Sequence, residues 1–198
     1  MTASNLEAMS RRQNLDEDAA AVADAMADAI ATSQDNPGDF SALYDRYIQP
    51  VYRYHYYRTG SAAEAEDLTS QTFLSALEAL PRYRHQGSFA AWLFRIARGK
   101  VIDYFRRQQK QVPLADNHPA EASDLLAQVA QSDEIAELTA LIHQLDDEAQ
   151  ELIRLRYTAG LPFAQIAAIL GSNENTVKKS LYRVMARLQS QLEERHHE

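Results

Sequence analysis

The chain has 198 residues, of which 45% are hydrophobic, so it is long enough to bury the core of one large domain or of two small ones. It contains no cysteine, which excludes a disulfide framework and a thiolate metal site and fits a reducing cytoplasm. No basic N-terminal flank precedes an unbroken apolar run, because Asp24 and Asp28 interrupt the most apolar early stretch. We therefore expect a cytoplasmic protein with neither a signal peptide nor a membrane span.

The net charge of −8 is distributed unevenly. Residues 1–36 carry −5, residues 37–110 carry +4, residues 111–148 carry −9 and residues 149–198 carry +2. Two basic modules therefore alternate with two acidic segments, which suggests two surfaces that contact phosphate and two segments that avoid it. Acidic linkers that only confer solubility would explain the acidic residues, but not why the basic ones segregate.

Residues 1–36 form an acidic N-terminal extension rich in Ala, Asp, Ser and Asn. The segment fits a mobile tail, and the alternative is that the run from Asp16 to Ile30 forms a weakly amphipathic helix that docks a partner or regulates the protein. The sequence Asn36, Pro37, Gly38 then breaks any helix. Both interpretations stay open.

Residues 37–110 predict a module of three helices. The first begins after Asp39, should kink at Pro50, and ends at Thr59 and Gly60. The second is opened by Ser61 or the acids near Glu64 and is ended by Pro81. Its predicted apolar stripe consists of Ala65, Leu68, Thr72, Phe73, Ala76, Leu77 and Leu80.

The third helix has the sequence FAAWLFRIARGKVIDYFRR, from Phe89 to Arg107, with Ser88 as its N-cap. One stripe is apolar and aromatic, whereas the other faces are basic with a single acid, Asp103. A short loop of aromatic, cationic and small residues precedes it. This combination is typical of a nucleic-acid surface on which unstacked bases are held, although a core helix with solvated arginines has the same pattern.

Residues 111–132 predict a flexible acidic linker, because they contain two prolines, many small polar residues and no Lys or Arg. The last predicted module, residues 133–198, begins with an amphipathic helix from Ile135 to Leu145. Asp146 should cap a further helix whose inward residues are Leu152, Ile153, Leu155 and Tyr157, with Gly160 as its C-cap. The fold class is therefore all-α, with two small helical domains and no strand signal.

The segment from Leu161 to Leu188 predicts a helix-turn-helix. Gly171 supplies the sharp turn, Asn173 caps the second helix, and small Ala167 lies where the two helices approach. The outward residues of the second helix are of the kinds that read base edges and grip phosphates in a major groove. A helical hairpin used only for packing is the alternative.

Together the two modules resemble the sigma-70 family of bacterial transcription initiation factors, in its extracytoplasmic-function group. FSALYDRYIQPVYRY, AEDLTSQTFLSAL and FAAWLFRIARGKVIDYFRR resemble the three helical blocks of region 2, and the segment from Leu145 to Val184 resembles region 4. The resemblance covers about residues 38–107 and 133–190. It implies a factor that binds core RNA polymerase, directs it to promoters and assists melting.

The resemblance also implies roles for individual residues. Contacts with the polymerase core are expected at Asp67, Gln71 and Phe73. Contacts with the melted minus-ten element are expected at Tyr83, Arg84, His85, Trp92, Arg95, Lys100 and Arg106. Contacts with the duplex minus-thirty-five element are expected at Asn173, Asn175, Lys178, Lys179, Tyr182 and Arg183. Whether an anti-sigma factor also binds is left open.

No cofactor, metal site or catalytic constellation is expected. The six histidines lack ligand spacing, and no phosphate-binding glycine loop, nucleophile elbow or paired catalytic acids occur in a fitting context. Two other functions remain as alternatives. One is a helix-turn-helix regulator that acts without polymerase, and the other is an interaction protein that binds polymerase but starts no transcription.

Overall fold

The computed structural model describes residues 37–84, 88–111 and 133–196. Within these ranges the chain is helical and has no strand, which confirms the predicted all-α class. The predictions for residues 1–36 and for the linker over 112–132 lie outside the described residues. The helices are α1 Pro37–Thr59, α2 Ala62–Ala79, α3 Phe89–Gln111, α4 Asp133–His143, α5 Asp147–Ile153, α6 Phe163–Leu170 and α7 Glu174–His196.

The ends of the first helices follow from local chemistry. α1 runs through Pro50 and ends at Thr59, after which Gly60 adopts φ 73°, a left-handed conformation that costs glycine little. Ser61 caps α2, since its side chain accepts a hydrogen bond from the backbone N–H of Glu64. A 3-10 turn, Leu80–Arg82, follows α2 and contains the predicted terminator Pro81.

α1, α2 and α3 pack together as the N-terminal module. Ser88 caps α3 as predicted, because its Oγ accepts a hydrogen bond of 3.0 Å from the N–H of Ala91. The core of this module is mainly aliphatic and aromatic. Its buried residues include Leu43, Tyr47, Val51, Leu68, Phe73, Phe89, Leu93, Phe94 and Val101.

Leu77 does not belong to this core. The sequence predicted it in the apolar stripe of α2, yet its exposed fraction is 48%. The helix buries only the arc that runs from Leu68 through Ala76 to Phe73, and residue 77 lies outside it, about 100° from Ala76 around the helix. The prediction was therefore wrong, because a stripe drawn on apolar residues alone is wider than the buried one.

The C-terminal module contains α4 to α7. The Asp146 carboxylate caps α5 by accepting a hydrogen bond of 2.8 Å from the N–H of Ala149. α5 then widens into a π-helical segment, Arg154–Thr158. Because a π-turn holds more residues than an α-turn, it rotates the following side chains relative to α-helical spacing. Tyr157, predicted to face inward, is accordingly 53% exposed, so that prediction was wrong.

α6 and α7 form the predicted helix-turn-helix. Gly171 ends α6 with φ 65°, and its N–H donates to the carbonyl of Ala167. Asn173 caps α7 through its Oδ1, which accepts a hydrogen bond of 2.8 Å from the N–H of Thr176. Val177 and Leu181 are buried, so α7 packs back onto α6.

The two modules also pack against each other. α1 contacts the π-helical segment, and α3 contacts α6.

Candidate nucleic-acid and polymerase interfaces

α3 carries an aromatic and cationic surface on its outer side. Trp92 is half-buried, and Arg95 and Arg106 are exposed. These positions lie close to one line along the helix, because they are separated by three and eleven residues. Lys100 is half-buried and lies about 80° around the helix from Trp92, on the side away from the two arginines. Arg106 donates to Asp103 at 2.9 Å. An indole beside guanidinium groups is suited to stacking on bases and pairing with phosphates.

The residues that precede α3 have different structural roles. Tyr83 is only 6% exposed, and its ring centroid lies 4.9 Å from that of Trp92 and 5.8 Å from that of Phe89. It therefore supports Trp92 from beneath and presents little surface to a base. Arg84 is exposed and donates to the carbonyl of Tyr83. His85 lies outside the described residues.

α7 presents a second polar surface. Asn175, Lys179, Tyr182 and Arg183 are exposed, and their spacing places them along one side of the helix. Beneath them lies buried Phe163, whose ring centroid is 6.1 Å from that of Tyr182. A helix at the second position of a helix-turn-helix with such side chains fits a major groove.

Two predicted residues of this surface already hold local partners. The Oδ1 of Asn173 accepts hydrogen bonds from the N–H and the hydroxyl of Thr176, so it acts as a helix cap. The Nζ of Lys178 lies 2.6 Å from Glu174 and 5.4 Å from the centroid of the Phe163 ring. Both side chains remain at the start of α7, where a helix N-terminus favours phosphate.

Tyr157 is a candidate that the sequence interpretation missed. The π-helical segment turns its phenol outward, near Tyr182. Partial burial raises the pKa of Tyr157, Arg156 lowers it and Tyr182 raises it again. The phenol therefore stays protonated at neutral pH and can donate to a phosphate. No sequence signal marks this position, because α-helical spacing assigns Tyr157 to the core.

α2 carries the third surface. The Nε2 of Gln71 donates to Asp67 at 2.6 Å, one helical turn away. Phe73 is 5% exposed, and its ring lies 4.8 Å from that of Tyr44, so it belongs to the core beneath this surface. Leu74 was missed, although it shares the line of Asp67 and Gln71 and is 62% exposed. The sequence signal that was available is the spacing: Gln71 follows Asp67 by four residues and Leu74 follows Gln71 by three, which places all three on one side of the helix.

Other kinds of site are absent from the parts of the chain that the structure describes. Over residues 37–84, 88–111 and 133–196, no cluster of three His, Asp or Glu side chains could hold a metal ion. None of the described helices is long and apolar enough to cross a membrane.

Comparison with protein families matches two segments of the chain. Residues 43–111 match the family model "Sigma-70 region 2", and residues 135–188 match "Sigma-70, region 4". The ECF RNA polymerase sigma factor BldN of Streptomyces coelicolor is 36% identical over 183 residues, which covers 90% of this chain and 68% of BldN. The chain belongs to the extracytoplasmic-function (ECF) group of sigma-70 factors. It is thus a transcription initiation factor that binds RNA polymerase.

Further similarities extend to a second relative and to solved structures. The ECF sigma factor SigM of Bacillus subtilis is 31% identical to this sigma factor over 150 residues, covering 75% of this chain and 91% of SigM. The structure of CnrH in complex with the cytosolic domain of CnrY has a TM-score of 0.63 at 25% identity, over 86% of this chain and 97% of that one. RpoE of Bartonella quintana, solved with the anti-sigma factor NepR, shares the fold with a TM-score of 0.58 at 21% identity. The match covers 78% of this chain and 97% of that one.

Proposed function

We propose that this sigma factor contacts the polymerase core through the exposed line of α2 that contains Asp67, Gln71 and Leu74. A large apolar side chain with polar neighbours has the composition of a protein interface, with an apolar centre and a polar rim. Exposed Leu77, three residues further along, extends the apolar part. Phe73 supports this surface from the core and is assigned no direct contact.

We further propose that residues 37–110 hold the melted minus-ten element. Trp92, Arg95 and Arg106 form the described part of this surface, flanked by Lys100 and Arg84. His85 is included because of the family resemblance alone. Tyr83 positions Trp92 by ring packing. Base stacking on aromatic side chains offsets the unstacking cost of a few kcal/mol, so binding energy drives melting without a catalytic step.

In the same proposal, residues 133–198 bind the minus-thirty-five element as duplex. α7 enters the major groove with Asn175, Lys179, Tyr182 and Arg183 toward the bases and backbone. Asn173 and Lys178 lie at its N-terminus, where they fix the helix start and face a phosphate. Tyr157 adds a phosphate contact from the preceding segment.

One observation carries this proposal more than any other. Two packed modules each expose a helix with cations, yet the first combines them with an indole and the second with amide and phenol groups. A single strand needs stacking surfaces, whereas a duplex needs a helix that fits a groove. One chain therefore offers both chemistries, as promoter opening requires.

The test is transcription with purified core polymerase on fragments of the source genome, followed by sequencing of the run-off products. We expect specific starts that are lost with Trp92→Ala or Arg183→Ala. Arg195→Ala is the matched control, because this exposed arginine lies at the far end of α7 and pairs with Glu137. Duplex binding without polymerase would favour a simple regulator, and core binding without starts would favour a non-initiating binder.

The proposed partners are core RNA polymerase and promoter DNA, and the proposed location is the cytoplasm, where both are found. An anti-sigma factor is a further proposed partner. The CnrH structure, whose fold and sequence this chain shares in part, contains the cytosolic domain of CnrY. Co-purification of the tagged sigma factor from its own cells tests this, and recovery of polymerase subunits alone would contradict it.

A further inference from the structure

α1 carries a row of large apolar and aromatic side chains along its border with α2. The members of this row follow one another at intervals of four residues, and we call the row the α1 ridge: Phe40, Tyr44, Ile48 and Tyr52. Tyr44 is 41% exposed, and the other three are half-buried. The rings of Phe40 and Tyr44 lie 6.4 Å and 4.8 Å from that of Phe73 in α2. A partly exposed row of this kind is typical of a surface on which another element packs.

The other sides of α1 need no further cover. The helix contacts α2, α3 and the π-helical segment, and Leu43 and Val51 are buried on that side. The side that faces water carries Asp45, Gln49 and Arg53, which are polar and exposed. The α1 ridge lies between these two sides. It is therefore the part of α1 that offers apolar contact to an additional element.

Residues 16–30, which lie outside the described part of the chain, have the sequence of an amphipathic helix. They contain seven alanines, the residue with the highest helix propensity, and begin with three acids, which favour a helix N-terminus. In a helix, Val22, Met26 and Ile30 form one apolar row. Asp24 lies about 160° from Met26 around such a helix. A helix of this length is marginal alone and is stabilised when its apolar row packs on a partner.

The connection to α1 restricts where this segment packs. α1 begins at Pro37, and the residue before a proline is disfavoured in a helix, so the segment does not continue α1 as one straight helix. Six residues, 31–36, separate Ile30 from Pro37, a length typical of connections between antiparallel neighbouring helices. Six extended residues span at most about 20 Å, whereas the axes of packed helices are about 8–10 Å apart. The first half of α1 is therefore within reach.

The apolar row of the segment and the α1 ridge fit each other in one register. Both rows advance by four residues, so an antiparallel arrangement that matches one pair matches the others as well. The matched pairs are Ile30 with Phe40, Met26 with Tyr44, and Val22 with Ile48. In this register Asp24 and Asp28 stay on the far side of the segment, so no charge is buried.

We propose that residues 16–30 dock on the α1 ridge as an antiparallel helix and complete the N-terminal module as its fourth helix. The α1 ridge is thus an intramolecular docking surface, and its occupant is this segment of the same chain. The docked helix buries the exposed part of Tyr44 and leaves the polar side of α1 in water. The inference does not depend on the proposed function, because it concerns the protein without polymerase or DNA.

The docked helix lies beside the α2 line that contains Asp67, Gln71 and Leu74. Tyr44 contacts α2 at Phe73, and Leu74 lies about 100° from Phe73 around α2, on the side away from α1. The segment therefore reaches only the edge of the proposed polymerase surface, at Leu77. Docking of the segment and binding of core polymerase are compatible.

The first test is disulfide formation in the full-length chain, which contains no cysteine of its own. Met26→Cys with Tyr44→Cys should form an intramolecular disulfide under mild oxidation, since facing residues bring their Cα atoms close enough for the bond. Met26→Cys with Gln49→Cys is the matched control, because exposed Gln49 lies about 140° from Tyr44 around α1. The first pair should close at least about tenfold faster, because docking raises its effective concentration.

A second pair protects this test against a local effect of the substitution at Tyr44. Val22→Cys with Ile48→Cys probes the same register one helical turn further along and leaves the contact between Tyr44 and Phe73 intact. Its closure rate should equal that of the first pair within about threefold, because both pairs report the same docked state.

The second test is hydrogen exchange of residues 16–30, measured by mass spectrometry in the full-length chain. Their amides should exchange at least about tenfold more slowly than in a peptide of the same sequence. Met26→Asp places a charge in the apolar row and should remove this protection. Ala21→Asp, about 140° away around the segment, should preserve it. The amides of α1 to α7 serve as the internal reference, because both substitutions lie outside these helices.

Equal closure rates for the Tyr44 and Gln49 pairs, or unprotected amides at residues 16–30 in the wild type, overturn the proposal. Disulfides that join two chains and increase with protein concentration also overturn it and assign the α1 ridge to a second copy. Affinity for immobilised core polymerase should differ by less than about twofold between wild type and Met26→Asp, and a larger increase overturns the placement beside the α2 line. A docked segment in a protein that never initiates supports this inference and contradicts the proposed function alone.

Discussion

The Nδ1 atom of His55 lies 3.1 Å from the hydroxyl oxygen of Thr69, which ties the middle of α1 to α2. The Nε2 atom of the same ring lies 3.4 Å from the carbonyl of Ala97 in α3. A carbonyl oxygen only accepts, so Nε2 carries the proton and Nδ1 accepts from Thr69. One neutral imidazole therefore joins all three helices of the N-terminal module.

This histidine makes the stability of the protein depend on pH. Burial lowers the pKa of His55 from 6.5 to about 4, and the bond to Ala97 opposes part of that decrease. Between these values the unfolded chain binds a proton that the folded chain excludes, so the free energy of unfolding falls as pH decreases from 6.5 toward 4. The complete effect is about 3 kcal/mol. Urea unfolding at pH 7 and pH 5 should show about 2 kcal/mol of this difference, the part that falls between those two pH values.

The matched variants for that measurement are His55→Gln and His143→Gln. The first replaces the titrating ring with a neutral amide, so it should flatten the pH dependence while lowering stability at pH 7. The second removes an exposed histidine of α4, whose pKa is lowered by partial burial and by Arg154. His143→Gln should change the pH dependence of the free energy of unfolding less than His55→Gln does. If the free energy of unfolding of His55→Gln depended on pH as it does in the wild type, other groups would be responsible for the dependence.

The helix ends were predictable from sequence because capping is local. The side chains of Ser88, Asp146 and Asn173 each accept a hydrogen bond from the N–H three residues ahead. A short side chain with an acceptor oxygen, directly before an apolar stripe of helical spacing, is enough to predict such an N-cap from the sequence. The helix-turn-helix was predictable for the same reason, since Gly171 marks the one left-handed residue between its helices.

The burial of some side chains depends on packing between elements that are distant in sequence. Tyr83 was predicted to contact the promoter and Phe73 the polymerase, and neighbouring rings bury both side chains here. Glu151 has the usual pattern of a solvated helix residue, and only the other module, 97 residues away in sequence, buries it. Periodicity within one helix contains no information about such a contact.

Replacement of two glycines by alanine should change the stability of the protein in opposite directions. Gly171 has φ 65° with open space around it, so Gly171→Ala suffers only backbone strain and should lower stability by about 1 kcal/mol. Gly99 lies inside α3, and an added Cβ would meet nothing within 4 Å. Gly99→Ala should therefore raise stability by about 0.5–1 kcal/mol. Thermal unfolding of both variants checks the pair, and a loss of stability in Gly99→Ala would contradict the account.

Arg156 should stabilise the entry to the helix-turn-helix. Its guanidinium lies 4.5 Å from the centroid of the Phe163 ring and donates to the carbonyl of Leu161 at 3.0 Å. Arg156→Ala removes both interactions and should cost about 1–2 kcal/mol. Arg156→Lys should recover only part of this lost stability, since an ammonium lacks the planar group that stacks on the ring and donates the hydrogen bond at the same time. Chemical denaturation ranks the three proteins, and full recovery by lysine would exclude the stacking role.

Leu74 and Phe73 are adjacent on α2, but their replacement should have different consequences. Phe73→Ala removes a buried ring and should destabilise the protein by about 3–5 kcal/mol. Leu74→Ala removes an exposed side chain, so stability should change by less than about 0.5 kcal/mol, while affinity for core polymerase falls about tenfold. Thermal unfolding and binding to immobilised core enzyme separate the two effects. Met185→Ala, an exposed side chain on α7, serves as the control, and normal core affinity in Leu74→Ala would remove Leu74 from the proposed docking surface.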